Sequence, residues 1–177
     1  MNPDILKRCK LGERSAQRVV YERYSPLMLG LCMRYFSDRS QAEGVMVEGM
    51  FKVLTRIDQF SGSGSFEGWV RRTMVNECLM VLRKEVRFTE DLSEREIALP
   101  DATGTDDTLH EQEILTLIQS LPAGYRTVFN LYVIEGYKHR EIAELLEISI
   151  NTSKSQLLLA RKRLQEMIRE RETYLNL

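Results

Sequence analysis

Apolar positions recur three and four residues apart along most of this chain, in runs separated by short polar breaks. Ala42, Val45, Met46, Gly49, Val53 and Ile57 make one small or apolar stripe, and Asp38 with Gln41 has the character of a capping box in front of it. The preceding segment spaces Val19, Val20, Tyr24, Leu27, Leu31 and Tyr35 in a similar way, so the two helices are expected to pack on each other. A further helix is outlined by Val70, Met74, Cys78 and Val81, with Trp69, Thr73, Asn76, Met80 and Arg83 alongside. No segment alternates as a half-buried strand would, and the abundance of Leu, Ile, Glu and Arg favours helix. The pattern predicts an all-α fold in which residues 1–85 form one small helical bundle.

Over residues 86–108 the periodicity fades, acids accumulate, and Pro100 and Gly104 interrupt any regular element, which predicts a flexible acidic linker. A second small helical domain is expected over 109–177. Its first helix carries Ile114, Leu117, Ile118 and Leu121 and is ended or reopened at Pro122. An apolar helix from Tyr125 to Ile134 closes at Gly136, then comes a short helix from His139 to Leu146, a break at Glu147 and Ile148, and a last helix that starts around Ser149 as N-cap. A short helix, a tight turn and a longer basic helix describe a helix-turn-helix.

Charge modifies this picture. A net charge of -1 over 177 residues argues at first against a polyanion partner, yet the acids concentrate between Glu85 and Glu113 while Arg161, Lys162 and Arg163 mark a basic segment. Three cysteines, Cys9, Cys32 and Cys78, lack metal-ligand or disulfide spacing and read as free thiols. No leader-like or membrane-spanning apolar run is evident, so a cytoplasmic protein without membrane insertion is expected. Catalysis is not expected. SGSGS lacks the GK[ST] ending of a nucleotide-binding loop, His110 and His139 have no neighbouring nucleophile or ligand set, and no cofactor, catalytic residue or metal site is predicted.

Two stretches carry candidate chemistry. In EIAELLEISINTSKSQLLLARKRLQ, the seam Ile142, Ala143, Leu146, Ile148, Leu157, Ala160 and Leu164 leaves Asn151, Thr152, Lys154, Ser155, Gln156, Arg161 and Lys162 for the outer surface. Amides and hydroxyls suit base edges and Lys or Arg suit phosphates, the division that major-groove reading requires. In FSGSGSFEGWVRR, Gly62 and Gly64 allow close backbone approach, Ser61, Ser63 and Ser65 offer hydroxyls, and Trp69 with Arg71 and Arg72 follows directly, a combination that by itself leaves a phosphate cradle and a linker both open.

AGYRTVFNLYVIEGYKHREIAELLEIS followed by TSKSQLLLARKRL resembles the promoter minus-35 domain of bacterial RNA polymerase sigma factors of the extracytoplasmic function type. YERYSPLMLGLCMRYFSDRSQAEGVMVEGMFKVL followed by GSFEGWVRRTMVNECL resembles the minus-10 domain of that family, so the resemblance spans nearly the whole chain. It implies a region 2 domain that docks on the β′ clamp helices of core RNA polymerase and opens promoter DNA at the minus-10 element. It also implies a region 4 domain that reads the minus-35 duplex near the β flap, and it leaves nucleotide chemistry to the core enzyme. In the family the loop before the tryptophan receives a base flipped from the non-template strand, which implies that Gly62 and Gly64 let the strand approach and that Ser61, Ser63 and Ser65 bond a base edge. On the same resemblance Phe66 and Trp69 either stack on a base or anchor the end of the loop in the core, Arg71 and Arg72 meet phosphates, and Asn76 is the candidate amide reader. The docking face carried over to this chain is Gly44, Val47, Glu48 and Phe51.

The chain departs from the family where an acid commonly stands at Gly44 and a glutamine at Val47, and Gly44 costs about 1 kcal/mol of helix stability relative to alanine. Glu147 occupies a turn position that is often glycine, and Leu158 and Leu159 replace frequent serine and arginine. A lost phosphate contact at Leu159 implies weaker, less salt-dependent minus-35 binding. Alternatively, the two leucines widen an apolar patch for a protein partner such as an anti-sigma factor, which could also use the acidic linker. The competing functional expectation is a helix-turn-helix regulator or degenerate sigma-like adaptor that does not support initiation.

Overall fold

The computed structural model describes the backbone of residues 1–85 and 106–175 and the side chains of residues 1–84 and 112–171. The expected linker over 86–108 lies outside the described residues up to position 105, and its last three positions already belong to a helix. The chain divides into two compact units, Met1–Leu82 and Arg83–Leu177. Every regular element among the described residues is helical.

The first unit begins with α1, Pro3–Lys10, where Asn2 Oδ1 accepts the backbone N–H of Asp4 at 2.9 Å and Pro3 occupies the first turn. Helix α2, Arg14–Tyr35, buries Ala16, Val20, Tyr24, Met28, Leu31, Cys32 and Tyr35, a stripe that repeats mostly every four residues. Val19 and Leu27, expected on that stripe, are 43% and 53% exposed. They precede Val20 and Met28 by one position, about 100° around the helix, and so fall outside the buried face. Helix α3, Arg39–Thr55, starts on Asp38, whose Oδ1 accepts the N–H of Gln41 at 3.0 Å. Its expected stripe of Ala42, Val45, Met46, Gly49 and Val53 is buried and packs on α2, and Ile57 follows it into the core.

A single 3₁₀ turn at Ile57–Gln59 leads to the glycine and serine loop and to α4, Phe66–Glu85. Val70, Met74, Val75, Cys78, Leu79 and Leu82 of α4 are all buried. Gly49 lets α3 and α4 approach closely, since a Cβ there would lie 2.5 Å from Met74 Sδ. Burial of such side chains contributes about 1.5–3 kcal/mol each, which makes this core the main source of stability in the unit.

In the second unit α5, Asp106–Gln119, begins three residues ahead of Leu109. The segment expected as one helix from Tyr125 to Ile134 is α6, Ala123–Phe129, running into a wider π turn over Asn130–Ile134. There Glu135 N–H donates to Asn130 O, five residues back, at 2.9 Å, and Gly136 closes the turn at φ +77°. The buried Arg126 donates from Nη1 to Gln119 O at 2.5 Å, at the C-terminal end of α5.

Helix α7, His139–Leu146, has the expected bounds. It ends at Glu147 in the left-handed region, φ 57° and ψ 39°, as the turn requires. Helix α8, Ile150–Leu175, is capped by Ser149, whose Oγ accepts the N–H of Thr152 at 2.9 Å. Leu117, Leu121, Ala160 and Met167 form one cluster with Tyr125, Phe129 and Leu164 against it, while α7 packs its buried Ile142, Ala143 and Leu146 on α8.

Left-handed backbone at a residue bearing a Cβ costs about 1–2 kcal/mol, so Glu147→Gly should stabilise the chain by up to about 1 kcal/mol after the entropy of the unfolded glycine is offset. Glu147→Val should destabilise it by at least about 1 kcal/mol. Urea unfolding of the full chain followed at 222 nm distinguishes these signs, and equal midpoints for the two variants would contradict the strained turn.

Candidate nucleic-acid interface

An aromatic cluster at the end of the first bundle holds the loop Ser61–Ser65. Phe60, before the loop, and Phe66, after it, meet edge to face with centroids 5.3 Å apart. Trp69 lies 5.9 Å from Phe60 and 5.7 Å from Phe66, and Tyr24 of α2 lies 5.6 Å from Phe66. Lys10 Nζ adds a 2.8 Å hydrogen bond to Phe60 O. Between these anchors the chain turns back through Gly62 at φ +84° and Gly64 at φ +79°, conformations that glycine adopts without cost.

The predicted loop residues separate into three groups. Ser61, Ser63 and Ser65 are exposed, but Ser65 caps α4, its Oγ accepting Gly68 N–H at 2.9 Å, and Ser61 Oγ accepts Ser63 N–H at 3.3 Å. Phe66 is 5% exposed and anchors the loop in the core, so of the two roles open to it base stacking is closed. Trp69, Arg72 and Asn76 converge on a notch of about 250 Å³ that also has Lys52, Arg56, Gln59, Thr73 and Glu77 in its walls. The serines and the half-buried Arg71 lie outside this lining.

Sequence reasoning missed the wall formed by α3 and the 3₁₀ turn. Lys52 Nζ donates to both Glu77 carboxylate oxygens at 2.7 Å, with the Glu77 side chain 9% and Lys52 25% exposed. Twenty-five positions separate these partners, beyond any helical periodicity. The one available signal was the spacing of Trp69, Thr73 and Asn76, which share an α4 face. On the outer face of α3, Gly44, Val47, Glu48 and Phe51 are all exposed, with Val47 and Phe51 at 49% and 62%.

On α8, Asn151, Lys154, Ser155, Arg161 and Lys162 are exposed. Thr152 is half-buried, with its hydroxyl 2.8 Å from Ser149 Oγ inside the cap. Gln156 departs from the expected outer surface: it is half-buried, and its amide lies 3.3 Å from where a Cβ on Gly124 of α6 would stand. The missing side chain at Gly124 makes the room that draws this amide inward. Leu158 is 68% exposed and Leu159 half-buried.

Arg161 lies over the Tyr132 ring at 5.9 Å, and Tyr132 stacks on His139 at 4.5 Å. His139 Nδ1 is 2.9 Å from the buried Ser153 Oγ. Burial first, and then the positive charges of Lys154 and Arg161, push the His139 pKa below its usual 6.5. His139 is therefore a packing residue of the helix-turn-helix, while the side chain of His110 lies outside the described residues.

Among the described residues no group of three His, Cys, Asp or Glu side chains could hold a metal ion, and no helix is long and apolar enough to cross a membrane. Cys9, Cys32 and Cys78 are free and buried, with Cys32 and Cys78 Sγ atoms 3.8 Å apart.

Residues 20–88 match the family model of Sigma-70 region 2, and residues 111–164 that of Sigma-70, region 4. The chain is 26% identical to the RNA polymerase sigma-H factor of Pseudomonas aeruginosa, covering 94% of this chain and 95% of that one. It is 27% identical to the ECF RNA polymerase sigma factor SigW of Bacillus subtilis, covering 93% and 95% respectively. Among solved structures, CnrH in complex with the cytosolic domain of CnrY shares the fold at TM-score 0.52 and 18% identity, covering 94% of this chain and 96% of that one. RpoE in complex with the anti-sigma factor NepR from Bartonella quintana does so at 0.54 and 22%, covering 86% and 96%. A helical bundle with an aromatic-pinned loop followed by a helix-turn-helix is the architecture of a two-region transcription initiation factor. The chain belongs to the sigma-70 family, as an RNA polymerase sigma factor of the extracytoplasmic function type.

Because the folded His139 pKa is lowered, the unfolded chain takes up that proton first. The stabilising contribution is complete above about pH 6.5 and is lost as pH falls below it. Stability measured by urea unfolding should therefore decline as pH falls below about 6.5, and His139→Gln should flatten that slope. An unchanged slope in the variant would assign the decline to other groups.

Proposed function

We propose that the first unit engages core RNA polymerase at the β′ clamp helices through Gly44, Val47, Glu48 and Phe51 and meets the opened non-template minus-10 strand along α4. Trp69 and Asn76 take base contacts, Arg71 and Arg72 take phosphates, and the loop around Gly62 and Gly64 lets the strand backbone pass closely. The second unit reads the minus-35 duplex near the β flap through Asn151, Ser155 and the N-terminal end of α8, with Lys154, Arg161 and Lys162 on phosphates. The protein contributes no bond-making step and acts in the cytoplasm, where its polymerase works. RpoE, of the same fold, is held in its solved structure by the anti-sigma factor NepR, and the exposed Leu158 gives this chain an apolar contact for a partner of that kind.

The reading is carried by the convergence of Trp69, Arg72 and Asn76 on one notch beside a loop whose ends are both pinned. A phosphate contact is blind to sequence, whereas a base contact is not. With core polymerase, the full chain should initiate transcription at a specific promoter. Arg72→Ala should lower promoter opening about equally on all minus-10 sequences, whereas Asn76→Ala should change the preference at one position by about 5-fold or more. Absence of stable association with core polymerase overturns the proposal in favour of a DNA-binding regulator or an adaptor without initiation activity. Sequence-dependent loss with Arg72→Ala would overturn its phosphate assignment.

A further inference from the structure

In the helix-turn-helix a run of side-chain contacts starts on α8, leaves it, and returns to it. Ser153 of α8 is wholly buried, and its Oγ lies 2.9 Å from His139 Nδ1 on α7. The His139 ring stacks on Tyr132, with centroids 4.5 Å apart and planes 25° from parallel. The run ends on Arg161, whose guanidinium carbon stands 5.9 Å from the Tyr132 centroid, about two turns beyond Ser153 on the same helix. Tyr132 sits in the π turn Asn130–Ile134, an uncommon element that recurs at functional sites. Packing alone does not account for the last contact. Tyr132 is half-buried and Arg161 is exposed, so their meeting withdraws little apolar area from water. What it does is restrict a long side chain whose rotamer freedom is otherwise lost only on binding. A guanidinium can lie on a ring face while its N–H edge stays available to an anion. Lys162, at the next position, has Glu166 Oε1 at 3.9 Å instead. Burial and the charges of Lys154 and Arg161 keep His139 neutral at neutral pH, so it adds no repelling charge beside the guanidinium.

We propose that Tyr132 is a positioning residue for minus-35 binding, its ring fixed through His139 and Ser153 so that Arg161 is already aimed when the duplex arrives. The inference rests on the reading that Arg161 meets a phosphate. It adds that this contact depends on a residue outside the recognition helix, acting through Arg161. A phosphate contact carries no sequence information, so Tyr132 sets affinity for all minus-35 sequences alike and preference among none.

The test is a double-mutant cycle on the full chain with core polymerase, binding a minus-35 duplex selected by the wild-type complex. Arg161→Ala should weaken binding about tenfold and reduce the slope of log K against log salt by about 0.9, the signature of one lost phosphate contact. Tyr132→Leu removes the ring but keeps an apolar side chain. It should weaken binding about fivefold in the wild-type background and less than about 1.5-fold in the Arg161→Ala background. Tyr132→Phe, which keeps the ring face, should bind within about twofold of wild type. Equal losses from Tyr132→Leu in both backgrounds would mark a general packing role and overturn the inference. Should Tyr132→Leu fail to fold, nitrogen relaxation of the Arg161 side chain in the free wild-type chain, measured by NMR, decides. An Nε as mobile as that of the exposed Arg163 overturns the inference, and a clearly more ordered one upholds it. Unchanged binding and salt slope in Arg161→Ala would instead overturn the phosphate assignment, and the positioning role with it.

Discussion

The edge-to-face contact between Phe60 and Phe66 is the constraint on which the loop and the adjoining face of α4 depend. It brings the two ends of a five-residue loop together inside the core, so the loop cannot move away from α4 even though its own residues are exposed. Phe66 is at once the second anchor and the first residue of α4, and Trp69 extends the cluster one turn along that helix. The register of α4 is thereby set, and with it the direction in which Arg72 and Asn76 project. Gly62 and Gly64 make so tight a closure compatible with unstrained backbone. Rigid aromatic contacts of this kind, worth about 0.5–1.5 kcal/mol each beyond burial, preorganise a surface without filling the space a ligand would take.

The second unit reaches the same end by a different route. The turn at Glu147 fixes the crossing of α7 and α8, and Ser149 closes the first turn of α8. The stack of Arg161, Tyr132 and His139 then ties the middle of α8 to the π turn and to α7. Arg161 is thus held over a ring rather than swinging freely, which lowers the entropy cost of any contact its guanidinium makes. Lys154 and Lys162 lack such a ring, and Lys162 is shared with Glu166 at 3.9 Å.

Much of this architecture was legible because the physics is local. Ser149 caps as its side chain and position require, α7 runs between the expected bounds, and Glu147 adopts the left-handed turn its place demanded. The helical stripe of α3 was readable for the same reason. What escaped depended on contacts between elements. Val19 and Leu27 could not be told from Val20 and Met28 until α2 met α3. Gln156 looked like a surface amide because nothing in its own helix reveals the space above Gly124. Lys52 and Glu77 lie on different helices, and only the packing of α3 and α4 around Gly49 brings them together in the wall of one notch. Conversely, Trp69 and Asn76 were found from spacing on one helix, which is where periodicity has force.

The two recognition surfaces proposed for the separate units act together when a larger assembly engages both. Selection of bound sequences from random double-stranded DNA by the chain with core polymerase tests this most directly. The recovered sites should contain two sequence elements at a nearly constant separation, the upstream one contacted by the helix-turn-helix and the downstream one becoming unpaired. Recovery of a single element, with the same sequence whether or not polymerase is present, would contradict it.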